Sequence, residues 1–150
     1  MLGRVLHFGV YAFQAFRRGA WFFSRPRTQG VHGIPLTPEG KVVLVTLSYA
    51  NGWRLPGGGL KTNEDPSAAI LRELREEIGL TAYTSIEPVC DFEHRPDFRR
   101  GEATLFVVRG LQYQPRWSLE VKAVEAFDLS ALPTRTAAIT HRLLGLAKLG

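Results

Sequence analysis

The sequence predicts an α/β fold in which a mixed sheet is held between helices. Three features carry that reading: β-prone runs separated by turn residues, a sharply bounded amphipathic helix in mid-chain, and a second apolar-striped helix near the end. With 150 residues, 45% of them hydrophobic and 22% charged, the chain has material for one core and no room for a second.

The first 27 residues stand apart. Leu2, Leu6, Phe13 and Phe16 recur at helical spacing, Val5, Phe8, Tyr11, Trp21 and Phe22 add apolar surface, and Arg4, Arg17 and Arg18 add charge. We read residues 1–27 as an amino-terminal amphipathic helical extension and residues 28–150 as the globular domain. The uncharged run from Val5 to Phe16 is too short for the roughly 20 residues of a membrane span. No small-residue cleavage pattern follows it, which argues against a signal peptide. The extension packs on its own domain or on a second copy in a homodimer, which is the preferred reading, or it lies in a membrane surface with its arginines toward headgroups.

Within the domain, Val31 to Leu36 and Lys41 to Ser48 are strand candidates joined by Pro38-Glu39-Gly40, which predicts a hairpin. Pro56 stiffens the entry to Gly57-Gly58-Gly59, a run free to adopt positive φ and to bring backbone amides close to a phosphate. Asp65 and Pro66 read as N-cap and first helical residue, and Gly79 as the left-handed terminator. Tyr83 to Phe92, Ala103 to Val108 and Val121 to Phe127 are further strands. Leu132-Pro133 then breaks the pattern before a closing helix with Ile139, Leu143 and Leu146 as its buried stripe. Cys90, the single cysteine, reads as a core residue and excludes an intrachain disulfide, which suits a reducing cytoplasm. His7, His32, His94 and His141 are scattered, with no i, i+4 pair to hold a metal.

The mid-chain helix carries the chemistry. Ile70, Leu71, Leu74 and Ile78 form its apolar sector, Glu73, Glu76 and Glu77 an acid sector, and Arg72 and Arg75 the remaining, basic side. Glu73 and Glu77 are like charges at i, i+4 with Glu76 between them and no lysine in the helix, so ordinary ion pairing accounts for only part of the set. At about 4 Å such charges repel by about 1 kcal/mol in water and about 4 kcal/mol at an effective dielectric of 20. A bound cation reverses that sign. Carboxylates without histidine or cysteine suit a hard ion such as Mg²⁺, commonly shared with a substrate phosphate.

Gly58, five residues, Glu64, seven residues, then Arg72-Glu73-Leu74-Arg75-Glu76-Glu77-Ile78-Gly79-Leu80 resembles an intact Nudix box, with Trp53-Arg54-Leu55-Pro56-Gly57 resembling its usual approach. The looser resemblance extends over residues 28–132. It implies a Nudix-like α/β/α sandwich and a Mg²⁺- or Mn²⁺-dependent pyrophosphohydrolase that uses water to cleave a nucleoside diphosphate linked to another group. It further implies that Glu73, Glu76 and Glu77 are metal-site carboxylates, with the Gly57 carbonyl as another ligand. Arg72 then orients them by pairing with Glu64 or a ligating carboxylate. The base that takes the proton from water is a box glutamate or a residue on a later loop. Glu120 is the outside candidate, because Leu119 to Phe127 resembles the family's acidic residue before its Trp-Phe strand, although Ala126 stands where that tryptophan often sits.

Substrate contacts are expected from Gly57, Gly58 and Gly59, from Arg95 in the Glu93 to Arg100 connection, whose polar tip is equally read as a solvated hairpin, and from Trp53; Trp53 and Trp117 can each stack on a base or pack at a strand end. Pro96 lies near where ADP-ribose-cleaving relatives carry a proline, but its neighbours do not follow that subgroup. The substrate is therefore left as a small-molecule nucleoside diphosphate derivative: a nucleoside triphosphate, nucleotide sugar or ADP-ribose type. Formal net charge is +5, and outside the box sixteen bases face nine acids, a balance that favours polyphosphate anions. Fifteen of the nineteen bases are arginine, which does not by itself argue for nucleic acid. The alternatives are a nucleotide-sensing module that kept the fold without the chemistry, and a membrane-surface-associated protein built around residues 1–27.

Overall fold

The computed structural model describes residues 28–94 and 101–150. The expected amino-terminal helix and Arg95 lie outside the described residues. The elements run β1 (Thr28–Pro35), β2 (Val42–Leu47), β3 (Ala50–Arg54), β4 (Gly57–Gly59), α1 (Pro66–Ile78), β5 (Leu80–Ala82), β6 (Ser85–His94), β7 (Gly101–Arg109), β8 (Gln112–Tyr113), β9 (Val121–Phe127) and α2 (Ala138–Leu146). A mixed four-stranded sheet has the order β4-β1-β7-β6, with β1 and β7 parallel and the other pairs antiparallel. A three-stranded antiparallel sheet, β3-β2-β9, and a short β5-β8 pair complete the set.

Strand alternation feeds two cores. Val43 and Val45 of β2 and Phe106 and Val108 of β7 join Ile70, Leu74 and Ile78 of α1. Their neighbours Val42 and Leu44, with Leu105 and Val107, join Leu143 and Leu144 of α2. Period-2 alternation thus gives each helix its own apolar floor, producing the α/β/α layering. It also explains why residues 42–45 and 105–108 are apolar at every position: there neither face meets water.

Three local expectations are corrected. The turn between Thr37 and Lys41 forms, with the Thr37 N–H donating to the Lys41 carbonyl at 2.8 Å, but the predicted hairpin ends after the single bridge between Leu36 and Val42. β1 then pairs with β4 and β7, and β2 with β3 and β9, because each strand finds longer partners elsewhere in the chain. The glycine run is not a positive-φ loop: Gly57–Gly59 is an extended strand paired with β1, and none of the three has positive φ. In α2 the buried residues are Thr140, Leu143 and Leu144, while Leu146 is exposed, since the helix turns its 140–144 edge toward the sheet. Cys90 is half-buried at the edge of the second core. Among the described residues no helix is long and apolar enough to cross a membrane.

Candidate active site

Helix α1 has the bounds its sequence predicts. The Asp65 side chain accepts from the Ser67 and Ala68 N–H groups at 3.1 and 3.2 Å, Pro66 opens the first turn, and Gly79 closes the helix at φ 76° with its N–H donating to the Leu74 carbonyl. Burying Ala69, Ile70, Leu74 and Ile78 sets the rotation of the helix, and that rotation carries Glu73 to the edge of the core, where it is 7% exposed. Glu77 is half-buried and Glu76 exposed.

Arg72 departs from the expected basic face. Its side chain folds across the acid sector, placing Nε and Nη2 each 2.8 Å from a Glu64 oxygen. Nη2 also donates to the Gly59 carbonyl at 3.0 Å, and Nη1 lies 3.0 Å from Glu73 Oε1 and 3.5 Å from Glu76 Oε2. A planar five-donor fork gains more from these oxygens than from water, so only Arg75 is left facing out. The Glu64 carboxyl is pushed down to about 2, first by the Arg72 hydrogen bonds and then by the Lys61 N–H, which it accepts at 3.0 Å. The same Glu64 hydrogen bonds hold the Arg72 guanidinium still more firmly protonated.

Glu77 is the electrostatic opposite. Desolvation is the largest cause raising its carboxyl well above the ordinary value, followed by the charge of Glu73 and then those of Glu120 and Glu76. The Gly57 N–H, donating to Glu77 Oε2 at 3.2 Å, works against the rise. The residue as a whole is half-buried, and the charges of Glu73, Glu120 and Glu76 act on its carboxyl in the same sense as desolvation.

Glu120, at the entry to β9, is thus near enough for its charge to act on Glu77. Its backbone is held on both sides: the carbonyl accepts from the Ser48 N–H at 2.9 Å, and the N–H donates to Ser118 Oγ at 3.1 Å. Neither serine was singled out from the sequence. The Ser118-Leu119-Glu120 spacing is a readable side-chain turn signal, whereas Ser48 arrives through the pairing of β2 with β9 and leaves no local mark. Strand β4 closes the other side of the site. A Cβ at Gly58 would overlap Glu73 Oε1, so only glycine lets the strand pass the carboxylate.

The donor set fits a hard divalent ion. Glu73, Glu76, Glu77 and Glu120 offer oxygens only, and the Arg72 guanidinium reaches Glu73 and Glu76. Among the described residues no three acid, histidine or cysteine side chains are grouped so that they could hold a metal ion as they stand. Arg72 draws on Glu73 and Glu76, and the Gly57 N–H draws on Glu77.

Trp53 is not brought to this cluster. It packs edge-on against Phe127, ring centroids 4.9 Å apart, in the core under α2, and its carbonyl accepts from the Ala137 N–H at 3.0 Å and Thr140 Oγ1 at 3.1 Å. This packing accounts for the half-buried ring without a stacked base.

Residues 26–144 match the NUDIX domain family. The RNA pyrophosphohydrolase of Acidiphilium cryptum is 67% identical over 65 residues, which are 43% of this chain and 39% of that protein. That of Methylococcus capsulatus is 48% identical over 42 residues, 28% of this chain and 22% of that protein. The chain thus spans well under half the length of these curated relatives. The MutT NUDIX hydrolase from Burkholderia pseudomallei superposes with a TM-score of 0.70 at 22% identity, over 81% of this chain and 98% of that one. The NUDIX domain of Shewanella oneidensis NrtR, complexed with ADP ribose, gives 0.64 at 22% identity, over 83% and 88%. These structural likenesses establish the fold.

Proposed function

The chain belongs to the Nudix family, and on that premise we propose that it is a metal-dependent pyrophosphohydrolase that cleaves, with water, a nucleoside diphosphate linked to a further group. What supports the proposal is the intact box on α1, where Arg72 reaches Glu64, Glu73 and Glu76 and the charges of Glu73, Glu120 and Glu76 all act on Glu77. Nudix enzymes generally use divalent metal ions. When bound, Mg²⁺ or Mn²⁺ supplies positive charge to the phosphate oxygens and makes a coordinated water more acidic.

The protein's own groups do the rest. Glu73, Glu76, Glu77 and Glu120, with the Gly57 carbonyl, hold the ion, and Arg72 keeps Glu73 and Glu76 in position. Glu120 or a box glutamate takes a proton from the attacking water as the new P–O bond forms and the bridging P–O bond breaks. Gly57, Gly58 and Gly59 line the approach for the phosphates, and Arg95 meets the distal part of the substrate. Residues 28–150 are the catalytic unit, and residues 1–27 a helical extension that packs on it or on a second copy.

The names of the curated relatives add a substrate candidate, a polyphosphorylated 5′ nucleotide at an RNA end, to the small molecules expected from the sequence. The test is to incubate the full chain with Mg²⁺ or Mn²⁺ and nucleoside triphosphates, nucleotide sugars, ADP-ribose and 5′-triphosphorylated RNA, and to identify products by mass. Phosphoanhydride cleavage of at least one, abolished by chelation, is expected. No cleavage of any of them under either metal contradicts the proposal.

A further inference from the structure

Among the described residues four large apolar side chains are exposed: Tyr49 at 38%, Tyr83 at 39%, Leu146 at 43% and Trp117 at 80%. Two of these adjoin Glu120. Its carbonyl is bound by Ser48, the residue before Tyr49 on the β2–β3 turn, and its N–H is bound by Ser118, the residue after Trp117. Trp117 is not on a loose tip. Ser118 Oγ accepts from the Val121 N–H as well, at 3.3 Å, and at the other end the Gln114 N–H donates to the Gly79 carbonyl at 2.8 Å. Pro115, Arg116 and Trp117 therefore bridge the end of the acid helix and the acid on β9, tied at both sides. An indole is among the side chains that gain most from burial, so a framed loop that leaves it open beside a charged site is arranged for a flat ligand.

We propose that Trp117, three residues before Glu120, is the platform on which the base of the substrate stacks, with Tyr49 a second exposed aromatic beside the Ser48 that holds the Glu120 carbonyl. The inference rests on the hydrolase reading above and deepens it. The phosphates reach the glutamates while the base lies on the indole, and the exposed Arg116 guanidinium adds a contact to phosphate or to the base face. Stacking is tolerant of base identity, so the platform selects nucleotides over other polyphosphates rather than one base over another. A free nucleoside triphosphate and the triphosphorylated first nucleotide of an RNA share this chemistry.

The experiment uses the full chain, wild type against Trp117→Ala, Trp117→Phe and Tyr49→Ala. Steady-state constants are measured for ATP and for a short 5′-triphosphorylated RNA, inorganic tripolyphosphate serves as a base-free inhibitor, and tryptophan emission is followed on adding ATP. Trp117→Ala is expected to raise KM for both base-bearing substrates by about five- to a hundredfold, the range for losing one base-stacking aromatic, with kcat little changed. Tripolyphosphate inhibition stays as in wild type, Tyr49→Ala gives a smaller KM rise in the same direction, and Trp117→Phe retains most of the affinity. ATP quenches the emission of the wild type more than that of Trp117→Phe, in which Trp21 and Trp53 remain. The larger wild-type kcat/KM identifies the free nucleotide or the RNA end as the source. An unchanged KM in Trp117→Ala, or an equal loss toward tripolyphosphate, overturns the platform while leaving hydrolysis standing. If the wild type hydrolyses neither substrate, the hydrolase reading is decided by the nucleotide sugars and ADP-ribose of the panel above, and the quenching titration alone decides the platform: no quenching overturns it.

Discussion

Arg72 grips Glu64 through two hydrogen bonds of 2.8 Å, one to each carboxylate oxygen, and from that anchor extends its third nitrogen to Glu73 at 3.0 Å. Glu64 is thus the fixed end of a brace and Glu73 the group being braced. Lysine keeps the charge but has a single nitrogen and no fork. Arg72→Lys should lower metal affinity or activity by about 10- to 100-fold, as loss of ligand-orienting partners does. Calorimetric titration with Mn²⁺ checks it, and wild-type affinity in the variant would remove the bracing role. The brace itself is acid-tolerant. Because the folded Glu64 carboxyl is depressed to about 2, its stabilising contribution is present above the ordinary value of 4.5 and lost only as pH falls through about 2.

Glu77 gives the opposite pH dependence. Its folded carboxyl is raised well above 4.5, so in metal-free protein its favourable contribution is complete below that value and is lost as pH rises through the raised one. Melting temperature in chelator should therefore fall with rising pH over this window. Adding Mg²⁺ should reverse the trend, because the ion displaces the proton and binds best when the carboxylate is free. Glu77→Gln should flatten the metal-free profile. Identical slopes for the wild type and Glu77→Gln would refute the assignment.

Gly58 separates site geometry from folding. Alanine there would overlap the Glu73 carboxylate, and a flexible side chain yields more readily than a strand. Gly58→Ala should leave a cooperative fold, lose metal affinity with Glu73 displaced, and reduce turnover at saturating substrate. Circular dichroism and Mn²⁺ titration on one preparation check both halves.

Residues 1–27 carry Arg4, Arg17, Arg18, Arg25 and Arg27 and no acid, so the formal net charge of +5 over the whole chain resides in this segment, and residues 28–150 balance. The basic body inferred from charge outside the box is therefore mostly an amino-terminal property. If the extension packs on the domain or on a second copy, full chain and residues 28–150 should cosediment equally little with anionic vesicles. Selective cosedimentation of the full chain would favour a membrane surface instead.

What was legible in the sequence follows from locality. Asp65, Pro66 and Gly79 bound α1 through contacts within a few residues, and the Glu73, Glu76 and Glu77 grouping follows from helix geometry alone. Val121 to Phe127 was also readable as β9 from its own composition. Strand β4 was not, because three glycines have no strand preference and are extended here by pairing with β1. Nor was the separation of β1 from β2, since the parallel partner of β1 is β7, far along the chain. For Arg72 the helical wheel marks a basic face while the family resemblance implies a pair with Glu64 or a ligating carboxylate, and the side chain takes the second course, because a wheel shows where a side chain starts, not where a long one ends. The sequence left Trp53 and Trp117 equivalent, and only the packing of one against Phe127 and the exposure of the other separates them.

Metal titration tests the centre most directly. Mn²⁺ binding to the full chain, with and without a non-hydrolysable nucleotide, should be saturable in wild type and lost or weakened by an order of magnitude or more in Glu73→Gln and Glu77→Gln, with melting in chelator still cooperative. If wild type binds no Mn²⁺ or Mg²⁺ even with nucleotide present, or if both variants bind as wild type does, these glutamates do not form the metal centre and the proposed chemistry is contradicted.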